Sequence, residues 1–338
     1  MIPTSLTPYL PLLISVIYTA GVVGFVFLFV LFANWWERKV SAHMQDRLGP
    51  METGGWHGWA QALADAIKLL LKEDIIPAAA DRKLFKLAPY VVFTGSLAGF
   101  AVIPFGAGLI GTDLNIGLFY VVAVSSMVVI GILMAGWASN NKWALYGAMR
   151  SAAQMVSYEI PVALSLLIPV IMTGSLSMQE IVAAQEGGFW HWFVFRSAPF
   201  SLIAFVIYFW ASLAEVNRTP FDIPEADSEL VAGYFTEYSG MRFAMFFLAE
   251  YGNMFIVSAI AATVFLGGWQ PLLPALDFIP GPIWFVGKAM FLVFIQMWLR
   301  WTLPRLRVDQ LMHVCWKIFM PFAFANLMLV GLWQVLVQ

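Results

Sequence analysis

The stretch Glu215-Val-Asn-Arg-Thr-Pro-Phe-Asp-Ile-Pro-Glu-Ala-Asp-Ser-Glu-Leu-Val-Ala-Gly-Tyr-Phe-Thr-Glu237 sets six carboxylates against one cation, Arg218, between two long apolar segments. The acids are Glu215, Asp222, Glu225, Asp227, Glu229 and Glu237. Acids packed that densely beside a bilayer are costly unless they are solvated, paired or neutral. Two readings are open on local grounds. In the first, the stretch is a water-facing loop. Asp222 with Glu225 has the form of a capping box, Pro224 suits a first helical turn, and Glu215 pairs with Arg218 at i, i+3. In the second, the acids handle protons. Burial and nearby like charge both raise a carboxylate's pKa, and close acids titrate as a coupled set. Glu225 and Glu229, at i, i+4, would share one helix face.

The surrounding chain favours the second reading. It has 338 residues, is 61% hydrophobic and only 11% charged, and has a mean hydropathy of +0.80. That is the composition of an all-α polytopic membrane protein, read here as one integral membrane domain over residues 1–338. Apolar runs at about 8–33, 84–104, 116–138, 155–173, 199–214, 241–266, 283–301 and 315–337 predict eight transmembrane helices. The first run is too long for a signal-peptide core and ends in Asn34-Trp-Trp-Glu-Arg-Lys39, an aromatic belt meeting charge. Near 56–74, Trp56, Trp59, Leu63, Ile67 and Leu70 recur at helical spacing, opposite His57, Gln61, Asp65, Lys68 and Lys72. That pattern predicts an amphipathic interfacial helix, too charged to span.

The segments 34–86, 139–154, 215–242 and 300–317 fall on one side of the membrane and hold 16 of the 18 Lys and Arg residues. The positive-inside rule therefore makes the loops at about 34–83, 139–154, 215–242 and 300–317 cytoplasmic and puts both termini on the far side. The single cysteine, Cys315, rules out a disulfide within the chain and a cluster held by this chain alone. The four histidines lack metal-ligand spacing, and no phosphate-cradling glycine motif or nucleic-acid footprint is present. Glu159 and Glu250 fall in expected spans, where a carboxylate is a functional-site candidate, with Arg150 a candidate partner for Glu159. Lys288, also in a span, is expected to snorkel outward.

Blocks along nearly the whole chain carry a resemblance. They are Glu37-Arg-Lys39, Gln45-Asp-Arg-Leu-Gly-Pro50, Ala64-Asp-Ala-Ile-Lys68, Gly136-Trp-Ala-Ser-Asn140, Tyr146-Gly-Ala-Met-Arg150 and Ser157-Tyr-Glu159. They continue with Ala214-Glu-Val-Asn-Arg-Thr-Pro-Phe-Asp222, Ala249-Glu-Tyr251, Pro304-Arg-Leu-Arg307 and Asp309-Gln-Leu-Met312. Together they resemble a family of membrane subunits, the H subunits of bacterial NADH:quinone oxidoreductases, whose counterpart in mitochondrial respiratory complex I is subunit 1.

The resemblance implies a membrane subunit that lines a quinone chamber in the bacterial inner membrane and couples quinone reduction to proton pumping. Quinone would be the substrate, ubiquinone or menaquinone. Iron–sulfur clusters and flavin would sit in partner subunits of the hydrophilic arm. Small membrane subunits and antiporter-like subunits would be further partners. By position, proton coupling would fall to Glu159, Glu215, Asp222, Glu225, Asp227, Glu229 and Glu250. Asp227 stands where family members commonly carry Glu, one methylene longer. The quinone chamber would involve Arg38, Gln61, Asp65, Phe221 and Arg300. Two other classes stay in competition. An autonomous ion transporter would function as a single purified chain. The membrane subunit of an energy-converting hydrogenase would bring nickel in its partner.

Overall fold

The computed structural model describes residues 10–223 and 227–337. In chain order the helices are α1 (Leu10–Met44), α2 (Gln61–Leu71), α3 (Arg82–Gly99), α4 (Gly117–Ala138), α5 (Lys142–Thr173), α6 (Met178–Ala183) and α7 (Phe193–Arg196). Then follow α8 (Phe200–Glu215), α9 (Asp227–Leu230), α10 (Gly240–Phe265), α11 (Gly281–Thr302), α12 (Val308–His313) and α13 (Met320–Val337). A π-helical stretch, Val314–Phe319, joins α12 to α13, so Val308–Leu336 reads as one span. No β-strand occurs among the described residues, and the chain is an all-α polytopic membrane protein.

Seven helices among the described residues are long and apolar enough to cross a membrane. The eighth expected span is α8, which has 16 residues and falls short of that length. At 1.5 Å per residue it reaches about 24 Å, against a hydrocarbon core of about 30 Å. Two helices run well past their expected ends. α1 continues to Met44 rather than stopping at Ala33, because no Gly or Pro interrupts residues 25–48. α5 begins at Lys142 rather than 155, where the Asn141 side chain caps it by accepting from the Trp143 N–H at 2.9 Å. Much of the expected loop 139–154 is thus the first part of a 32-residue helix. The interfacial helix is shorter than expected, α2 over 61–71, because His57 takes φ +55° and breaks the preceding turn.

The bundle is organised around α10, the most buried of the spans. Phe255 on α10 meets Phe25 and Phe29 of α1, each with ring centroids 5.0 Å apart. Polar ties add register. The Tyr208 hydroxyl of α8 donates to Val257 O at 2.9 Å, Gln296 of α11 donates to Ser258 Oγ at 2.9 Å, and Ser96 of α3 donates to Ala249 O at 3.2 Å. In an apolar solvent such bonds and close backbone packing carry helix association. Gly136 permits a close approach of α4 to α5, since a Cβ there would collide with the Ala148 methyl.

Two features read differently in three dimensions. Pro161 inside α5 frees the carbonyl of Ser157, four residues back, and Cys315 Sγ donates to that carbonyl at 3.1 Å. The lone cysteine therefore repairs a proline defect. Lys288 does not snorkel. It is buried, and its Nζ donates to Leu266 O, Gly268 O and Gln270 O at 2.7, 2.9 and 2.7 Å, over the Trp192 ring. All three ammonium protons are thereby satisfied at the C-terminal end of α10.

Candidate functional site

Three carboxylates and three guanidiniums converge where α1, α10 and α11 meet the segment following α8. Glu37 lies on the extended part of α1. Arg218 lies on the tight turn after α8, where Asn217 takes φ +53°. Arg218 Nη1 is 3.1 Å from both oxygens of Glu37, and its Nε is 3.0 Å from Glu250 Oε1 on α10. The Tyr251 hydroxyl donates to Glu37 Oε2 at 2.7 Å, and its ring lies 4.6 Å from the Arg218 guanidinium. Arg300 of α11 also pairs with Glu37. At the rim, Arg305 Nη2 donates to Asp222 Oδ2 at 2.8 Å.

Arg218 is only 2% exposed. Burial works against its charge, but Glu37 first and Glu250 next hold it firmly protonated. Two acids and two arginines balance in the inner group, and Asp222 with Arg305 balances at the rim. Buried charges persist only when paired in this way. Burial raises the Asp222 carboxyl above its ordinary value, with Arg305 pulling it back only in part. Its Oδ1 and Glu250 Oε2 are buried without a hydrogen-bond partner among the described residues.

This network has an opening on each side. Toward the loops after α8 and α11, a pocket of about 400 Å³ is lined by Asp222, Arg300, Arg305, Phe243, Phe247 and Trp301, among others. Inward, Glu250, Asn217, Asn253 and Glu215 line a cavity of about 20 Å³. Glu215 and Asn253 also line the next cavity, of about 40 Å³, with Ser125, Tyr208 and Glu159. Volumes of that size admit roughly one to three waters where polar partners are at hand. Asp222, Glu250, Glu215 and Glu159 thus form a series of acids, with small cavities, lined largely by apolar residues and a few polar groups, linking the last three.

The family described as NADH dehydrogenase matches residues 17–331 of this chain. The H subunit of the NADH-quinone oxidoreductase of Chlorobium luteolum is 58% identical, covering 97% of this chain and 91% of the relative. The H subunits from Chlorobaculum tepidum and Anaeromyxobacter dehalogenans are 56% and 52% identical, over 95% and 90% of this chain and 92% and 78% of the relatives. The chain belongs to the NADH dehydrogenase family.

Within this family member, the expected site residues fall into distinct environments. Glu215 does not pair with Arg218, which turns instead to Glu37 and Glu250. Arg150 does not pair with Glu159 but with Glu229, at 2.6 Å, and Glu229 is 57% exposed. Glu225 and Pro224, and with them the expected capping box and the Glu225–Glu229 face, lie outside the described residues. Asp227 opens the short α9. Arg38 and Asp65 join α1 to α2 by a 2.7 Å ion pair, and Gln61 donates to Asp65 at 3.3 Å. The apolar face of α2, with Leu63, Ile67 and Leu70, is exposed. Phe221 is buried between Tyr158 and Trp210, and Arg300 lines the rim pocket.

Glu37, Tyr251, Asn253 and Arg305 are not among the site residues expected from sequence. For Glu37 a signal exists. The uninterrupted helical run past Trp35-Trp36 keeps it on α1, where the change from apolar to charged sequence reads as the start of a loop.

Proposed function

We propose that this chain is the membrane subunit of a proton-translocating NADH:quinone oxidoreductase, lining its quinone chamber and coupling quinone reduction to proton movement. The observation that carries this reading is the balanced buried network of Glu37, Arg218, Glu250 and Arg300, set between the rim pocket and the Glu215–Glu159 cavities. The names of the relatives agree with it.

The chemistry follows from charge balance. Quinone reduction delivers electrons and then takes up protons. Negative charge arriving in the rim pocket draws on Arg300 and Arg305. Glu37 and Asp222 then share their cations, and the group is left with excess negative charge. Proton uptake at Asp222 or Glu250 restores neutrality, because uncompensated charge in low dielectric is costly. Each transfer changes the field at the next carboxylate, Glu215 and then Glu159, which line one cavity together. Glu225, Asp227 and Glu229 would extend the series into the cytoplasmic loop. Arg38, Gln61 and Asp65 would hold α2 as one wall of the quinone path, with Phe221 packing behind the rim. No resident metal is assigned to this chain, and iron–sulfur and flavin chemistry falls to hydrophilic-arm partners. Small membrane subunits and antiporter-like subunits would cover its flanks. The chain would sit in the bacterial inner membrane with both termini periplasmic.

The test is Glu215→Gln in the intact complex, purified through a tag on this chain and reconstituted in sealed vesicles. Donor oxidation and the pH gradient are recorded together. Both should fall, because an amide cannot exchange the proton. Wild-type values of both overturn the coupling role.

A further inference from the structure

Gln154 lies on α5, outside the ion network and its cavities, and is 2% exposed. Its side-chain amide spans the turn that carries Arg218. Nε2 donates to Ala214 O at 2.8 Å, to Phe221 O at 2.8 Å and to Asn217 Oδ1 at 3.1 Å. The first two acceptors are the two ends of the turn, and the third is a side chain in its middle. Asn217 in turn donates to Ser151 Oγ of α5 at 3.3 Å. An amide nitrogen has two hydrogens, so three acceptors compete for them and the contact is fully subscribed. All three hydrogen-bond partners of that nitrogen are oxygen acceptors, which fixes the orientation of the amide.

The turn is also held by the Arg218 ion pairs and, from outside, by the Leu306 N–H donating to Pro220 O at 3.0 Å. Asn217 sits in the left-handed region, which Asn tolerates better than most residues. Backbone bonds from Arg218 N to Leu213 O and from Phe221 N to Arg218 O, at 3.0 and 2.9 Å, close its two halves separately. Gln154 bridges the halves. The same helix carries Glu159, five residues on, in the cavity shared with Glu215. Among the described residues, α5 makes no ion pair with Glu37, Arg218, Glu250 or Arg300.

We infer that Gln154 is the positioning residue of the coupling network: its amide sets the place of Arg218 between Glu37 and Glu250 and ties that place to α5, so that a shift of α5 at Glu159 and a shift of Arg218 occur together. The inference rests on the proposed coupling role of Arg218. A small displacement of the turn moves the guanidinium away from partners now at 3.0–3.1 Å. Charge pairing in a buried site depends steeply on such distances.

The experiment uses the intact complex in sealed vesicles, with rates normalised to assembled complex by quantifying this chain in the purified sample. Four variants are compared: Gln154→Leu, which keeps bulk without donors; Gln154→Glu; Asn217→Gly, which accepts the positive φ but loses the side-chain bonds; and Arg218→Gln as reference. For Gln154→Leu the turnover number with a short-tailed quinone should fall about tenfold, as misplacement of a remote group can cost that much or more. The KM should stay within about twofold and the proton-to-electron ratio should fall, since the lesion is in coupling rather than quinone binding. Asn217→Gly should lower the turnover number and the ratio in the same direction. Gln154→Glu should lose activity more steeply than wild type as pH rises, because only its protonated carboxyl donates. A merely structural role lowers the yield of complex and leaves these normalised quantities unchanged. If Arg218→Gln is impaired while Gln154→Leu and Asn217→Gly match wild type in turnover and ratio, the positioning role is overturned and the proposed function stands. If Gln154→Leu does not assemble, wild-type turnover, ratio and pH profile in both Asn217→Gly and Gln154→Glu overturn it equally. Wild-type behaviour of Arg218→Gln overturns both the inference and the reading beneath it.

Discussion

Arg218 and Glu37 are 181 residues apart in sequence, yet Nη1 of the first is 3.1 Å from both carboxylate oxygens of the second. The pair closes the bundle across α1, the turn after α8 and, through Glu250 and Tyr251, α10. Loss of either member leaves the survivor buried with one partner fewer, Arg218 with Glu250 or Glu37 with Arg300 and Tyr251.

Glu37→Gln tests that statement most directly. It leaves Arg218 and Arg300 short of one negative charge in a site with little solvent. Breaking a buried pair from one side costs about 3–5 kcal/mol. The expected result is a large drop in thermal stability of the purified complex, with part of it recovered in the double variant Glu37→Gln, Arg218→Gln. Additive losses in the double variant would show that the two residues do not interact.

The Asp222 carboxyl is raised by burial, with Arg305 opposing. Its value in the folded chain therefore lies above that of an unfolded Asp, about 3.9. The folded state holds the proton longer, so stability from this group is fully present below the unfolded value and is lost as pH rises through the folded one. Asp222→Asn removes that loss. Relative to wild type, the variant should gain melting temperature on going from pH 4 to pH 7. A constant difference across that window contradicts the raised value.

Arg150 and Glu229 link α5 to the acidic loop at 2.6 Å, but Glu229 is largely exposed. Exposed pairs contribute about 0–1 kcal/mol, so Glu229→Gln should barely change global stability. It should release the loop locally, seen as faster hydrogen exchange over residues 229–235. The swap of Arg150→Glu with Glu229→Arg should restore protection, and faster exchange in the swap than in the single variant would remove the pair as the tether.

Lys288→Met leaves the carbonyls of Leu266, Gly268 and Gln270 without their shared donor. Unsatisfied buried acceptors cost about 1–3 kcal/mol each. The end of α10 should loosen, and the complex should melt several degrees lower, with proton-to-electron ratio unchanged. Unaltered melting would show that those carbonyls find other donors.

Much of this protein follows from sequence alone, for reasons that act over short distances. Apolar runs long enough to bridge a hydrocarbon core give the spans, and the all-α class follows from them. Asn141 as a cap and the lack of breakers after Gly24 even encode the true extents of α5 and α1. The blocks around Ala214–Asp222 and Ala249–Tyr251 point to the family. What the sequence leaves open is the partner of each charge. Local spacing offers Glu215 to Arg218 and Arg150 to Glu159, and sends Lys288 to the surface. The folded chain instead joins Arg218 to Glu37 and Glu250, Arg150 to Glu229, and Lys288 to three carbonyls. The physical reason is range. Helix formation and capping are decided within a few residues. A buried charge takes whichever counter-charge or dipole the packing of distant helices brings within about 3 Å, because in low dielectric that nearest contact outweighs all others.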